Sequence, residues 1–170
     1  LLVFMDRLTK MVHLVPTTKH YSAESCAEDS CDHVFRLHGL PKEFVSDRDK
    51  VWTSDFSRGL YTSLGIKQSM SSAFHPESDG QVERMNRIVQ QVLRNYVEPC
   101  ADNWDRLLGV VEFAINSAKK ESTGHSPFQL VYGYNPPNPM DRQLQALIPG
   151  YYPLPHYSTH EEFKKTLESL

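Results

Sequence analysis

Short apolar segments of strand length alternate along the chain with longer segments of helical period, and this alternation is the strongest constraint on its fold. Residues 1–5 and 11–15 are short and mostly apolar, 43–46 (EFVS) is typical of a short buried strand, and 66–70 alternates weakly. The first two segments are only five residues apart, which predicts a hairpin. Because strands and helices are interleaved, we expect an α/β domain whose helices flank a small mixed sheet.

Capping residues and apolar spacing predict the helices between and after these strands. The predicted helices cover residues 22–38, about 54–64, 80–97, 103–117 and a short segment opened by Ser126 and Pro127. In the first helix, the predicted inward face includes Cys26, Ser30, Cys31, Val34 and Phe35. Gly39, Gly65 and Gly133 each follow a predicted helix end.

The length of 170 residues favours one principal domain, which we place at residues 1–135. Residues 136–157 are rich in proline and predict a semi-extended linker. A further helix is predicted from 158 to 170, where Ser158 and Glu161 have the spacing of a capping box. The chain opens within a strand and without an initiator methionine, so we expect it to be a fragment of a longer protein.

Composition limits the classes of function. The formal net charge is −3, with 18 basic and 21 acidic residues, so contact with nucleic acid must depend on a local site. No apolar run approaches the length of a membrane span. The three cysteines form no closely spaced pair, which favours free thiols in a reducing compartment.

A zinc site is a weak interpretation of the N-terminal third. His13, His20, Cys26 and Cys31 are the available donors, but the histidine and cysteine pairs are only five residues apart. Both pairs also fall on predicted core elements. Structural thiols and a surface histidine are the favoured interpretation.

Two acidic residues stand at positions suited to chemistry. Asp47 follows a predicted buried strand, where active-site groups of α/β sheets commonly lie. Residues 75–80 predict an exposed loop, and Glu83 then falls in the first turn of the next helix, on the face opposite Val89. Carboxylates from separate elements can converge on hard divalent cations. Alternatively, Asp47 only stabilises a turn, and Glu83 only interacts favourably with the positive end of the helix dipole.

The surrounding segments carry a resemblance to a known family. FVSDRDKVWTSDF and AFHPESDGQVERMNR resemble the catalytic core of retroviral integrases and of the integrases of gypsy-class long-terminal-repeat retrotransposons. VFMDRLTKMVHLVPT, VFRLHGLPKEFVSD and STGHSPFQLVYGYNP resemble flanking segments of the same family, so the likeness runs over residues 1–140. It implies a ribonuclease-H-like fold and a metal-binding triad of two aspartates and a glutamate. Asp47 and Glu83, with 35 residues between them (48–82), match its last two members.

The resemblance also implies a cofactor, a reaction, partners and a place of action. The implied cofactor is Mg²⁺ or Mn²⁺, and the implied reaction is cleavage of a phosphodiester followed by transfer of element DNA into target DNA. The implied assembly is a homo-oligomer that acts in the nucleus. The residues that follow Glu83 on the same side of the helix are suited to contact the phosphates or sugars of DNA. Alternatively, they form a helix face that is simply exposed to solvent. The candidates are Asn86, Arg87, Gln90 and Arg94, with Arg48 and Lys50 beside Asp47 as weaker ones.

In the family, the first aspartate of the triad lies on a central strand that precedes the strand opening this chain. Asp6 matches the hairpin turn instead. We therefore expect this chain to lack that strand and to be inactive by itself. Two alternatives stay open: a non-catalytic integrase remnant that binds nucleic acid or protein, and a ribonuclease-H-like nuclease.

Overall fold

The computed structural model describes residues 1–18, 20–70, 76–96, 104–138 and 147, and the side chains of 76–96 over positions 80–94. The strands are β1 (Leu2–Met5), β2 (Val12–Val15), β3 (Glu43–Ser46) and β4 (Lys67–Met70). The helices are α1 (Ala23–Ser30), a π-helical segment (Cys31–Phe35), α2 (Arg36–His38), α3 (Lys50–Thr53), α4 (Asp55–Ser63), α5 (Pro76–Tyr96), α6 (Trp104–Ser117) and α7 (Pro127–Tyr132). None of the helices among these residues is long and apolar enough to cross a bilayer.

The strands form two pairs within the described residues. β1 pairs with β2, as the short connection predicted. β3 and β4 are parallel and in register from Glu43 opposite Lys67 to Ser46 opposite Met70. The interleaved strands and helices confirm the predicted α/β class, but among the described residues the four strands form two separate pairs and not the single small mixed sheet that was predicted.

The hairpin turn is held by Asp6. Its Oδ2 accepts hydrogen bonds from the backbone N–H of Thr9 (2.7 Å) and from Thr9 Oγ1 (2.6 Å). The Asp6 N–H donates to the Met11 carbonyl at 2.8 Å. The predicted place of Asp6 in the turn is thereby confirmed, and its carboxylate has a structural task there.

The first helical stretch begins and ends where its caps predicted. The Ser22 side chain accepts from the Ser25 N–H, and Gly39 ends the stretch at a φ of 80°, which favours glycine. The π-helical segment was not predicted. Cys31, its first residue, is exposed, so its predicted burial is wrong: at 100° per residue it lies about 140° around the helix from Cys26, which is only 1% exposed.

The predicted loop at 75–80 is wrong where the structure describes it. α5 begins at Pro76, so residues 76–80 are helical, whereas His75 lies outside the described residues. Proline is well suited to the first position of a helix because its fixed φ is helical and its missing N–H would find no partner there. Glu83 consequently lies in the second turn of α5 and not in the first.

The chain divides into two compact units, described here separately. The larger comprises Leu1–Phe4 and His13–Val111. Its core is formed by Phe4, Val15, Cys26, Trp52, Tyr61 and Ile66. Burial raises the pKa of the Cys26 thiol to about 12, so this cysteine is a protonated apolar core residue at neutral pH.

The smaller unit comprises Met5–Val12 and Glu112–Leu170. The Asn116 side chain is fully buried and forms two hydrogen bonds with the backbone of Val12, accepting from its N–H (2.9 Å) and donating to its carbonyl (2.8 Å). Ser126 and Gln129 form a capping box at the start of α7, and Gly133 ends that helix with a φ of 82°. These boundaries agree with the sequence prediction.

The proposed linker and C-terminal helix fall mostly outside the described residues. Pro136, Pro137 and Asn138 are non-helical, in keeping with a semi-extended segment. The rest of the predicted linker, apart from Leu147, and the helix predicted at 158–170 lie outside the described residues, so both stay predictions.

Asn116 provides a direct test of the smaller unit. Asn116→Ala removes both bonds to Val12 and leaves two buried backbone groups without these partners, so we expect the free energy of unfolding to fall by about 2–4 kcal/mol. Chemical denaturation followed by circular dichroism measures the change. The exposed Gln91→Ala is the control and should change stability by less than about 0.5 kcal/mol. Equal effects of the two substitutions would contradict this role of Asn116.

Candidate metal and nucleic-acid site

Asp47 lies immediately beyond β3, at the edge of the sheet that the carboxyl ends of β3 and β4 share. Its side chain is exposed, and its Oδ1 accepts a hydrogen bond from the Asp49 N–H at 3.1 Å. This bond uses one oxygen and fixes the direction of the carboxylate, while the other oxygen is left for a ligand. The predicted placement of Asp47 after a strand is confirmed.

The neighbouring acid has a different task. Asp49 caps α3, with its Oδ1 accepting from the Val51 N–H at 2.9 Å. Arg48 and Lys50 are both exposed on either side of it. The acidic run therefore separates into Asp47, whose carboxylate is open to solvent, and Asp49, whose carboxylate stabilises the start of a helix.

An aromatic cluster fixes the strand that carries Asp47. The Phe44 ring lies 5.0 Å from the Trp52 ring and 5.2 Å from the Tyr61 ring, centroid to centroid. Phe4 contacts the same ring edge-on at 6.3 Å. Gln68 on β4 donates to the Trp52 carbonyl at 2.7 Å, which attaches α3 to the β3–β4 pair. Both ends of the Asp47 segment are thus held by packed elements.

Helix α5 divides into an apolar face and a polar face. Met85 and Val89 are buried, and Val82 and Val92 are half-buried. At 100° per residue, Glu83, Arg87, Gln90 and Arg94 fall within about 60° of one another on the other side, with Asn86 beside them. Glu83, Arg87, Gln90 and Arg94 are exposed and Asn86 is half-buried. The predicted grouping of these side chains on one face agrees with their exposure.

The candidate residues thus lie on two elements of the larger unit. Glu83, Asn86, Arg87, Gln90 and Arg94 share one face of α5, and Asp47, Arg48 and Lys50 share the segment after β3. Among the described residues, neither Asp47 nor Glu83 forms an ion pair with a basic side chain. The convergence of their two carboxylates on one site stays a prediction.

The four donors of the zinc interpretation have other surroundings. Cys26 lies in the core, and Cys31 is exposed. His13 Nε2 lies 2.8 Å from His38 Nε2, a contact that sequence analysis missed because 25 positions separate the two residues. Within the described part of the chain, no three histidine, cysteine or acidic side chains are grouped so that they could hold a metal ion.

Comparison with known proteins gives relatives over nearly the whole chain. The transposon Tf2-3 and Tf2-4 polyproteins of Schizosaccharomyces pombe are each 30% identical over 168 residues, which is 99% of this chain. The chain spans 12% of the length of these relatives. No protein-family model matches it.

Solved structures give the fold. A chain of the simian T-cell lymphotropic virus intasome, solved with the PP2A regulatory subunit B56 gamma, aligns over 89% of this chain and 51% of its own, with a TM-score of 0.65 and 24% identity. The HTLV-2 integrase catalytic core domain in complex with magnesium aligns over 75% of this chain and 80% of its own, with a TM-score of 0.59 and 22% identity.

The BIV integrase catalytic core domain aligns equally well, with a TM-score of 0.59 over 75% of this chain and 82% of its own, at 20% identity. The fold described above is therefore that of the retroviral integrase catalytic core. Sequence identities of 20–24% establish only the shared fold. The chain is similar in sequence to part of the transposon Tf2 polyproteins and has the ribonuclease-H-like fold of retroviral integrase catalytic cores.

Proposed function

We propose that the chain is the catalytic core of a retrotransposon integrase, in which Asp47 and Glu83 hold divalent metal and α5 contacts DNA. The observation that carries the proposal is the pair of exposed carboxylates with no ion-pair partner among the described residues, one after a parallel strand and one on a polar helix face. The integrase fold and the retrotransposon relatives support the same function.

The donor set suits a hard cation. Mg²⁺ and Mn²⁺ prefer oxygen ligands, and Mg²⁺ retains several waters while binding one or two carboxylates. Asp47 has one oxygen engaged with the Asp49 N–H and one open, as expected of a ligand held in direction by its surroundings. Magnesium in the HTLV-2 core structure supports a divalent cofactor here.

When bound, the ions activate the attacking oxygen and stabilise the leaving oxygen of a phosphodiester. The protein residues supply position and charge. Arg87 and Arg94 on the Glu83 face attract phosphates, and Asn86 and Gln90 donate to phosphate or sugar oxygens. Arg48 and Lys50 add positive charge beside Asp47. This local concentration of basic side chains offsets the net charge of −3 at the place where DNA must approach.

The proposed substrates are element DNA ends and target DNA, and the proposed place of action is the nucleus. A homo-oligomer is also proposed, supported by the dimeric and trimeric forms of the HTLV-2 core and by the viral intasome. The third carboxylate implied by the resemblance is proposed to lie outside these 170 residues, on an additional central strand.

Metal binding tests the ligand assignment. Asp47→Asn and Glu83→Gln each remove one anionic ligand while keeping side-chain size, so each should weaken Mn²⁺ binding by about tenfold or more. Titration calorimetry or Mn²⁺ electron paramagnetic resonance measures the affinity. Asp105→Asn, at an exposed acid of α6, is the matched control. Unchanged affinity in both ligand variants would rule out the assignment.

DNA binding tests the polar face of α5. Arg87→Ala should weaken binding to all DNA sequences and lower the slope of log affinity against log salt by about 1, because one phosphate contact is lost. Fluorescence anisotropy over a salt series measures both quantities. Arg106→Ala, at an exposed arginine of α6, should leave the slope unchanged. The same slope in wild type and Arg87→Ala would remove α5 from the proposed DNA interface.

Strand transfer tests the activity itself. With Mn²⁺ and labelled element ends, we expect a longer product of the same reading frame, carrying a third carboxylate, to join DNA ends, and the 170-residue chain to join none. Asp47→Asn in the longer product should abolish joining and keep DNA binding, because only the metal site is altered. DNA binding without joining by the unaltered longer product would favour the non-catalytic remnant.

A further inference from the structure

Two histidines from distant parts of the chain meet in the larger unit. His13 lies on β2 and is 9% exposed, while His38 is the last residue of α2 and is exposed. Their Nε2 atoms are 2.8 Å apart, and their ring centroids are 5.1 Å apart with the planes inclined at 36°. One ring therefore donates a proton from Nε2 and the other accepts it with a lone pair.

The π-helical segment before α2 accounts for the place of His38. In a helix of uniform 3.6-residue period, Leu37 would lie on the same face as Cys26 and Ser30. The wider π turn rotates the residues that follow it, so Leu37 lies outside, where it is 54% exposed, and the exposed His38 reaches His13 Nε2 at 2.8 Å. Such helix irregularities are frequent at functional sites.

The same two nitrogens have the chemistry of a metal site. Two neutral imidazoles bound to zinc at about 2.0–2.1 Å in tetrahedral geometry have their nitrogens about 3.3 Å apart. From their nearly head-on 2.8 Å contact the nitrogens would have to separate by about 0.5 Å, and each ring would have to turn by about 35° so that both lone pairs point at the ion. Binding needs both Nε2 lone pairs, so the donating ring shifts its proton from Nε2 to Nδ1, and no proton is gained or lost.

We propose that His13 and His38 form a two-histidine site for a divalent transition-metal ion of the zinc type, with water in the remaining positions. Imidazole nitrogen suits zinc, copper and nickel, whereas Mg²⁺ requires oxygen ligands. The site is therefore chemically distinct from the carboxylates at Asp47 and Glu83. Because it joins β2 to the end of α2, a bound ion stabilises the folded chain in proportion to the logarithm of its concentration.

Zinc titration with a conservative variant tests the site. The 170-residue chain is titrated with ZnCl₂ in a calorimeter at neutral pH, with a phosphine reductant present. The number of zinc ions bound per chain should be one lower for His38→Gln than for wild type. Glutamine keeps a polar partner for His13 but is a poor zinc ligand. His33→Ala is the control, since His33 lies in the same helical stretch and pairs with Asp29. It should retain the ion.

Imidazole nitrogen resonances distinguish this pair from the other histidines. Zinc should shift the Nε2 signals of His13 and His38 together, and Mg²⁺ at the same concentration should shift neither. Since His13 is buried, His13→Gln can fail to fold, and the exposed His38 then carries the test. Equal stoichiometry and affinity in wild type and His38→Gln, or zinc shifts confined to other histidines, would overturn the site.

Discussion

The contacts of one half-buried ring, Phe44, hold the larger unit together. Phe44 meets Phe4 of β1, Trp52 of α3 and Tyr61 of α4, so three elements from different parts of the sequence are fixed against β3. Aromatic pairs of this geometry add about 0.5–1.5 kcal/mol each beyond the burial of their surface. Asp47 stands three residues further along the chain, immediately after this strand. Its position is therefore set by apolar packing, and its carboxylate is left free for chemistry.

The start of α5 at Pro76 changes the physical setting of Glu83. A carboxylate in the first turn would sit on a helix end that is free to fray, whereas the second turn is hydrogen-bonded on both sides. The buried side chains of Met85 and Val89 then fix the rotation of the helix. Glu83, Arg87, Gln90 and Arg94 are presented from a rigid element, which holds a binding site with greater precision than a loop does.

The elements of the fold were largely predictable because their signals are local. Ser22, Ser54 and Ser126 cap helices that begin where the sequence predicted, and Gly39, Gly65 and Gly133 follow helix ends with positive φ. β3 covers the four predicted residues, and the hairpin follows from the short connection around Asp6. The helix boundary at Pro76 was misjudged because proline, serine, aspartate and glycine favour turns and helix starts alike.

The sequence by itself determined the main order of strands and helices, the place of Asp47 directly after β3, and the polar face of α5, but not the turn of α5 on which Glu83 lies. Only the tertiary structure decided the parallel register of β3 and β4, the Phe44 cluster, the Asn116 bonds to Val12 and the His13–His38 contact. The physical reason is range. Caps, turns and apolar periods act over a few residues, whereas the His13–His38 and Val12–Asn116 contacts join positions 25 and 104 residues apart, where spacing along the chain carries no information about distance.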